Sequence, residues 1–297
     1  MSQTDITVKP MFFREYIGVK SYPDNLTAFP VEIINSRIPE FYFILAFATE
    51  DYDNNGRGTG IFKRTWNNDF FSPENINTLK ETYKNINVVI SIGGRGQDKS
   101  FNPSDKDKWS DNAIKSITKI LDEYIEGCGC HYLIDGIDIN YEYIFATTDI
   151  EFACCIGKVI TTLRKVFLFN VMSIAPSNRN YSSYKTLYQR FEDYIDLVDY
   201  QFYNQTVLDK DEFVNLYLQL TKDYDASKLL AGFSTDPYDS GKISQEVFIE
   251  GCTDLINRSL LSGVSIWNGN DSAVPKSNDD TPFLFEKKMQ NLLTEYY

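Results

Sequence analysis

The chain has 297 residues, 42% hydrophobic and 24% charged, a composition that suits a large packed core and argues against wholesale disorder. Its formal net charge of −13 argues against nucleic acid or an anionic membrane surface as a partner, since both select for basic surface. No run approaches the roughly 20 apolar residues of a membrane-spanning helix, so no membrane association is expected.

In chain order, Phe13 to Val19 reads as a first strand: a short aromatic and β-branched run. The connection Ser21 to Glu40 has poor helical periodicity and is interrupted by Pro30 and Pro39. A second strand, Phe41 to Ala48, is followed by a long loop rich in Gly, Asn and Asp, Asp51 to Trp66. A helix over Pro73 to Tyr83 leads to a third strand, Asn87 to Ser91, and a second long loop, Arg95 to Trp109. Helices are then predicted over Asp111 to Glu126, Asp149 to Lys165, Tyr184 to Tyr194, Lys210 to Lys222, Ser244 to Arg258 and Pro282 to Glu295. Strands are predicted over Leu133 to Ile139, Phe169 to Ala175, Leu197 to Tyr203, Lys228 to Phe233 and Gly263 to Trp267. Strands alternating with helices in this number predict an α/β chain folded as a single (β/α)8 TIM barrel over residues 1–297, and no linker, repeat or low-complexity tract marks a boundary. The two long loops then fall on the face where the strands end, which is where barrels bind ligands.

The 20 Tyr and 21 Phe suit carbohydrate stacking, although most such rings fill cores. Five cysteines leave at least one unpaired, and the neighbours Cys154 and Cys155 are poorly placed to bridge each other, so a full disulfide framework is not indicated. A reducing compartment is favoured. Met1 to Val19 carries no apolar run of signal-peptide type, so a cytoplasmic protein is expected, with a removed leader left open; a monomer is also expected. His131 is the only histidine and has no ligand-type spacing around it, so no metal is expected. Ile92 to Gly96 is glycine-rich but lacks the Lys-Ser/Thr ending of a phosphate loop, and no cofactor is expected.

The most telling segment is Leu133 to Glu142. In an extended chain alternate side chains share a face, so Asp138, Asn140 and Glu142 point one way while Ile137, Ile139 and Tyr141 point the other. Burying that polar row costs several kcal/mol unless it is hydrogen-bonded. At the end of the fourth barrel strand it stands where barrel enzymes keep catalytic side chains. Glu142 is the natural general acid, because burial raises a carboxyl into the range where it can hand a proton to a leaving oxygen. The alternative is a structural Glu in a buried network.

Asp135-Gly136-Ile137-Asp138-Ile139-Asn140-Tyr141-Glu142 resembles the fourth-strand signature of glycoside hydrolase family 18, the chitinases and endo-β-N-acetylglucosaminidases. Ser91-Ile92-Gly93-Gly94 is similar to that family's third-strand motif, Gln201-Phe202-Tyr203-Asn204 to its sixth, and Trp267 to the aromatic floor of its sugar subsite. Phe13 to Val19, Val88 to Gly96, Ser173 to Ser177, Gly232 to Pro237 and Trp267 to Ser272 resemble the narbonin branch, seed globulins without demonstrated hydrolysis that are held in reducing cytosol. The resemblance implies a substrate-assisted, retaining mechanism on β-1,4-linked N-acetylglucosamine: the sugar's acetamido oxygen attacks the anomeric carbon while Glu142 protonates the leaving group. Tyr203 would hydrogen-bond the acetamido carbonyl, with Trp267, Gln201 and Asn204 contacting substrate. At Asn140 the family carries an acid that holds the acetamido N–H and offsets positive charge on the intermediate. An amide accepts a hydrogen bond but brings no charge.

Three readings stay open on these grounds. One is a catalytically silent reserve or binding protein; another is a lectin-like binder of N-acetylglucosamine oligosaccharides; the third is a slow chitinase or endo-β-N-acetylglucosaminidase. Fold resemblance does not choose among them.

Overall fold

The structure, a computed structural model, describes residues 8–19, 26–126, 131–145, 148–239, 243–274 and 281–295. Eight parallel strands run β1 (Phe12–Ile17), β2 (Glu40–Tyr52), β3 (Ile86–Gly94), β4 (Gly136–Tyr141), β5 (Val171–Ile174), β6 (Leu197–Gln201), β7 (Leu229–Ser234) and β8 (Gly263–Trp267). Each pairs with its neighbour in sequence, and pairing of β1 with both β8 and β2 closes the ring. The (β/α)8 barrel read from the alternation of short apolar runs with amphipathic stretches is therefore the observed fold. Helices α1 (Pro73–Thr82), α2 (Lys106–Asp122), α3 (Asp149–Phe167), α4 (Tyr181–Phe191), α5 (Lys210–Leu220), α6 (Gln245–Asn257) and α7 (Leu284–Thr294) accompany the strands. The β1–β2 connection, where prolines interrupt the pattern, holds only the 3-10 turn Val31–Ile33 among its described residues. Cys128 and Cys130 lie outside the described residues; Cys154, Cys155 and Cys252 are free thiols.

The barrel interior is polar where the strands' alternate residues meet. Ser91, Asp138 and Ser173 occupy the same level on β3, β4 and β5. Below them the fully buried Arg14 donates through Nε to Asp199 Oδ2 at 2.9 Å and through Nη2 to Ser173 Oγ at 2.7 Å. Phe13, Glu15 and Ile17 take the opposite face of β1.

Three local expectations needed correction. The loop Asp51 to Trp66 contains a strand, Gly58–Arg64, which runs antiparallel to β2, itself 13 residues long. The polar letters Glu50 and Asp51 hide that extension. Glu50 is buried because three donors meet it: Gly60 N at 2.7 Å and Trp109 Nε1 at 2.5 Å reach Oε1, and Tyr141 Oη at 2.9 Å reaches Oε2. Burial still pushes its carboxyl up to about 7 against those bonds. Gly60 has φ +76, and a Cβ there would lie 2.2 Å from Trp109 O, so no other residue fits. Next, α2 begins at Lys106 rather than Asp111, because Asp105 accepts from Lys108 N at 3.1 Å and caps the helix inside the expected loop. Lastly, β4 starts at Gly136, not Leu133, and Asp135 works at the barrel's base, accepting from Val88 N at 2.7 Å beside Lys80 Nζ at 2.6 Å.

Glu15 carries a pH consequence. It is fully buried, neither carboxyl oxygen has a hydrogen-bond partner among the described residues, and Glu286 of α7 lies close enough to raise its proton affinity further. Burial is the main cause of that rise, so Glu15 folds in its neutral form. A folded-state value above the unfolded one means that this site's contribution to stability is whole below the ordinary carboxylate range and is lost as pH climbs toward the raised value. Glu15→Gln is therefore expected to gain on the wild type in urea midpoint as pH is raised from 5 to 8. Parallel midpoints across that range would refute it.

Candidate active site

The row at the end of β4 is assembled from several strands. Asp138 is fully buried and accepts from Ser91 Oγ at 2.7 Å, Tyr16 Oη at 3.0 Å and Ser173 Oγ at 2.7 Å. Hydroxyl donors from three strands meet its carboxyl oxygens and anchor it at the foot of the row. Asn140 sits one level up, only 2% exposed, and its Oδ1 accepts from Gln201 Nε2 at 3.2 Å. That amide also donates to Ala175 O at 3.0 Å, and Gln201 Oε1 accepts from Asn204 Nδ2. Asn140, Gln201 and Asn204 thus form a chain of neutral amides leading to the end of β6, and Asn204 supports Gln201.

Close approach of β3 to β4 shapes this level. Gly93 has φ +117, and a Cβ there would stand 2.4 Å from Asn140 O. On the other side β5 ends at Ile174, so the backbone beyond Ile139 has no strand partner there. Side chains supply one: Tyr141 N donates to Tyr184 Oη at 2.8 Å, and Asn180 Nδ2 donates to Tyr141 O at 2.8 Å. Asn180, which opens an Asn-x-Ser sequon, is buried and engaged in holding β4.

Glu142 lies just past the strand, with its side chain 13% exposed. Arg179 Nη1 stands 3.9 Å from Oε2, and the Arg179 guanidinium stacks 4.3 Å over the Tyr143 ring. Burial pushes the Glu142 carboxyl up to about 7; the positive charges of Arg95 and Arg179 pull it down and Asp239 pushes it up. Tyr203, expected to finish a strand, is in the 3-10 turn Phe202–Asn204 that follows β6. It is buried, and its phenol is held well above its ordinary value, first by burial and then by the negative charge of Glu142 and Asp239. Glu142 and Tyr203 therefore face one site. A cavity of about 220 Å³ adjoins Tyr203 and is lined also by Phe233, Thr235, Asp236 and Asp239.

Trp267 departs from expectation. It ends β8 as predicted, but it is 5% exposed, its ring stacks on Phe47 at 5.5 Å and 25°, and Tyr16 tilts against it at 5.4 Å. Its indole Nε1 has no hydrogen-bond partner among the described residues. A large part of the surface expected to floor a sugar ring is thus covered by protein rings.

Sequence reasoning missed Arg95, Asp236 and Asp239. Arg95 donates through Nη1 to Asp236 and through Nη2 to Asp239 Oδ1 at 3.0 Å, while Ser234 Oγ donates to Asp239 Oδ2 at 2.7 Å. These are polar loop residues with no periodicity, and only their position after β3 and β7 marked them as near a ligand face.

The sequence pattern described as Glycosyl hydrolases family 18 matches residues 41–239, two-thirds of the chain and the span holding the third-, fourth- and sixth-strand motifs. The chain belongs to glycoside hydrolase family 18. It is 32% identical to Chitinase 1 of the tulip Tulipa saxatilis subsp. bakeri over 292 residues, 95% of this chain and 87% of that one. It is 26% identical to the RuBisCO-associated protein of Glycine max, over 88% of this chain and 91% of that one. A family 18 chitinase structure from Crocus vernus superposes with a TM-score of 0.81 at 30% identity, covering 95% of this chain and 99% of that chain. Among the described residues of this family 18 barrel, no group of three or more His, Cys, Asp or Glu side chains is arranged to hold a metal ion, and no helix is long and apolar enough to cross a membrane.

Proposed function

We propose that this family 18 barrel takes β-1,4-linked N-acetylglucosamine oligosaccharides at the β4–β6 end of its mouth and turns them over slowly or not at all. The observation that carries the reading is the neutral Asn140 set between an anchored Asp138 and a Glu142 whose carboxyl is raised to about 7. Proton donation to a leaving oxygen needs that carboxyl protonated, and near neutral pH a substantial fraction is. Substrate-assisted hydrolysis also needs negative charge beside the acetamido nitrogen as the intermediate forms, and the amide row Asn140, Gln201 and Asn204 offers none. The proton donor and the phenol of Tyr203 thus remain for binding while the charge stabilisation is missing.

The test pairs calorimetry with a fluorogenic chitotrioside assay. Chitotriose is expected to bind, and any hydrolysis is expected to fall as pH rises through about 7, where Glu142 loses its proton, and to vanish in Glu142→Gln. Hydrolysis that Glu142→Gln leaves unchanged would move the chemistry elsewhere, and absence of any binding heat would remove the saccharide reading. The narbonin-like stretches, Phe13 to Val19 and Gly232 to Pro237 among them, support a second role as a cytosolic reserve protein of seed tissue. That role predicts abundance in seeds without saccharide binding.

A further inference from the structure

In an eight-stranded ring β3 and β7 stand diametrically opposite, with three strands between them in either direction. Arg95 follows β3, and Asp236 and Asp239 follow β7. Hydrogen bonds between these residues therefore span the diameter of the barrel at the end where Asn140, Glu142 and Tyr203 collect. We propose that the Arg95 bridge to Asp236 and Asp239 is a latch across the barrel mouth, which must open before an oligosaccharide reaches Glu142.

Both ends are built to hold it. Asp239 is 7% exposed at its side chain and fixed by Ser234 Oγ, and Asp236 is 12% exposed, with its backbone N donating to the same Ser234 Oγ at 3.2 Å. The segment between β7 and these aspartates is itself tied to β8, since Thr235 N donates to Trp267 O at 2.6 Å. A planar guanidinium presents parallel donors, so one Arg satisfies two carboxylates at once. Arg95 is 36% exposed, so solvent and salt reach the bridge and it can open without unfolding the barrel. The closed arrangement agrees with the burial of Asn140 and Tyr203, and Trp267, which Phe47 and Tyr16 cover in part, pairs with the Ser234 end of β7 from which Asp236 and Asp239 follow. A ligand that binds only the open form has its apparent affinity reduced by the open fraction.

The inference rests on the saccharide reading for its biological meaning, yet it can be tested without a sugar. Acrylamide quenching of tryptophan fluorescence is measured on the full chain, its melting confirmed, as wild type, Arg95→Ala, Asp236→Asn and the double variant Arg95→Ala/Trp267→Phe. Trp66 and Trp109 are buried elsewhere, so the expected gain in quenching in Arg95→Ala and Asp236→Asn disappears when Trp267 is replaced. Raising salt is expected to increase quenching in the wild type and to leave Arg95→Ala unmoved. Equal quenching in wild type and Arg95→Ala overturns the latch. With chitotriose, removal of the latch is expected to tighten binding about tenfold for a mouth open about one-tenth of the time. Equal affinity in wild type and variant also overturns the latch. Increased quenching with binding in neither protein upholds the latch and sinks the saccharide reading. Should Arg95→Ala fail to fold, Asp236→Asn and Arg95→Lys, which keeps the charge but reaches one carboxylate, carry the same comparison.

Discussion

Asn140→Asp is expected to raise hydrolysis of a fluorogenic chitotrioside by about a hundredfold to a thousandfold, the range lost when one preorganised electrostatic contact is removed from a transition state. The replacement is isosteric, and Gln201 Nε2, now 3.2 Å from the amide oxygen, still has an acceptor to donate to. No repacking is required. What changes is the charge at the point where the acetamido group would become an oxazolinium ion, as family 18 chemistry implies. The new carboxylate would also push Glu142 further up, lengthening the pH range over which the donor keeps its proton. Glu142→Gln in the same background is expected to return the rate to nothing. Rates that stay at background in Asn140→Asp even when Arg95→Ala has opened the mouth would show that the missing charge is not what limits this site.

Breaking the pair beneath the row should be the most destabilising single change. Arg14 and Asp199 are 0% and 1% exposed at their side chains, so neither solvent nor salt screens them. Arg14→Met leaves Asp199 buried without its counter-ion, and such a loss costs about 3–5 kcal/mol. Arg14→Met/Asp199→Leu is expected to recover most of that cost, since two apolar groups replace a pair whose Arg14 Nη1 and Asp199 Oδ1 have no hydrogen-bond partners among the described residues. Urea midpoints of the three proteins measure both effects. A loss under 1 kcal/mol in the single variant would mean that Asp199 is folded in its neutral form. Because Arg14 Nη2 donates to Ser173 Oγ, which in turn donates to Asp138 Oδ1, the same change loosens the floor of the catalytic row.

Legibility in the sequence followed the physics of each element. Strands such as Phe41 to Ala48 and helices such as Asp149 to Lys165 announce themselves because their patterns are set by burial of contiguous side chains. Asp138, Asn140 and Glu142 were legible for the same reason, since a period of two placed them together before any contact was known. The strand Gly58–Arg64 was not, because what holds it is the buried Glu50, whose partners Trp109 and Tyr141 come from 59 and 91 residues away. The early start of α2 was hidden in a loop by a single cap, Asp105. Trp267 was placed correctly at the end of β8 but given an open face, and only its stacking on Phe47 from β2 shows that face to be covered.

By itself the sequence determined the barrel and the order of its strands, which follow from residue type and local period, while the family and the neutral residue at Asn140 follow from the likeness of its strand-end motifs. Only the tertiary structure decided that Asp138 is anchored by three strands, that Asn140 continues a chain of amides through Gln201, and that Arg95 reaches Asp236 and Asp239 from the opposite side of the mouth. The reason is distance along the chain. Arg95 and Asp239 are 144 residues apart, and nothing short of closing the ring brings them within a hydrogen bond.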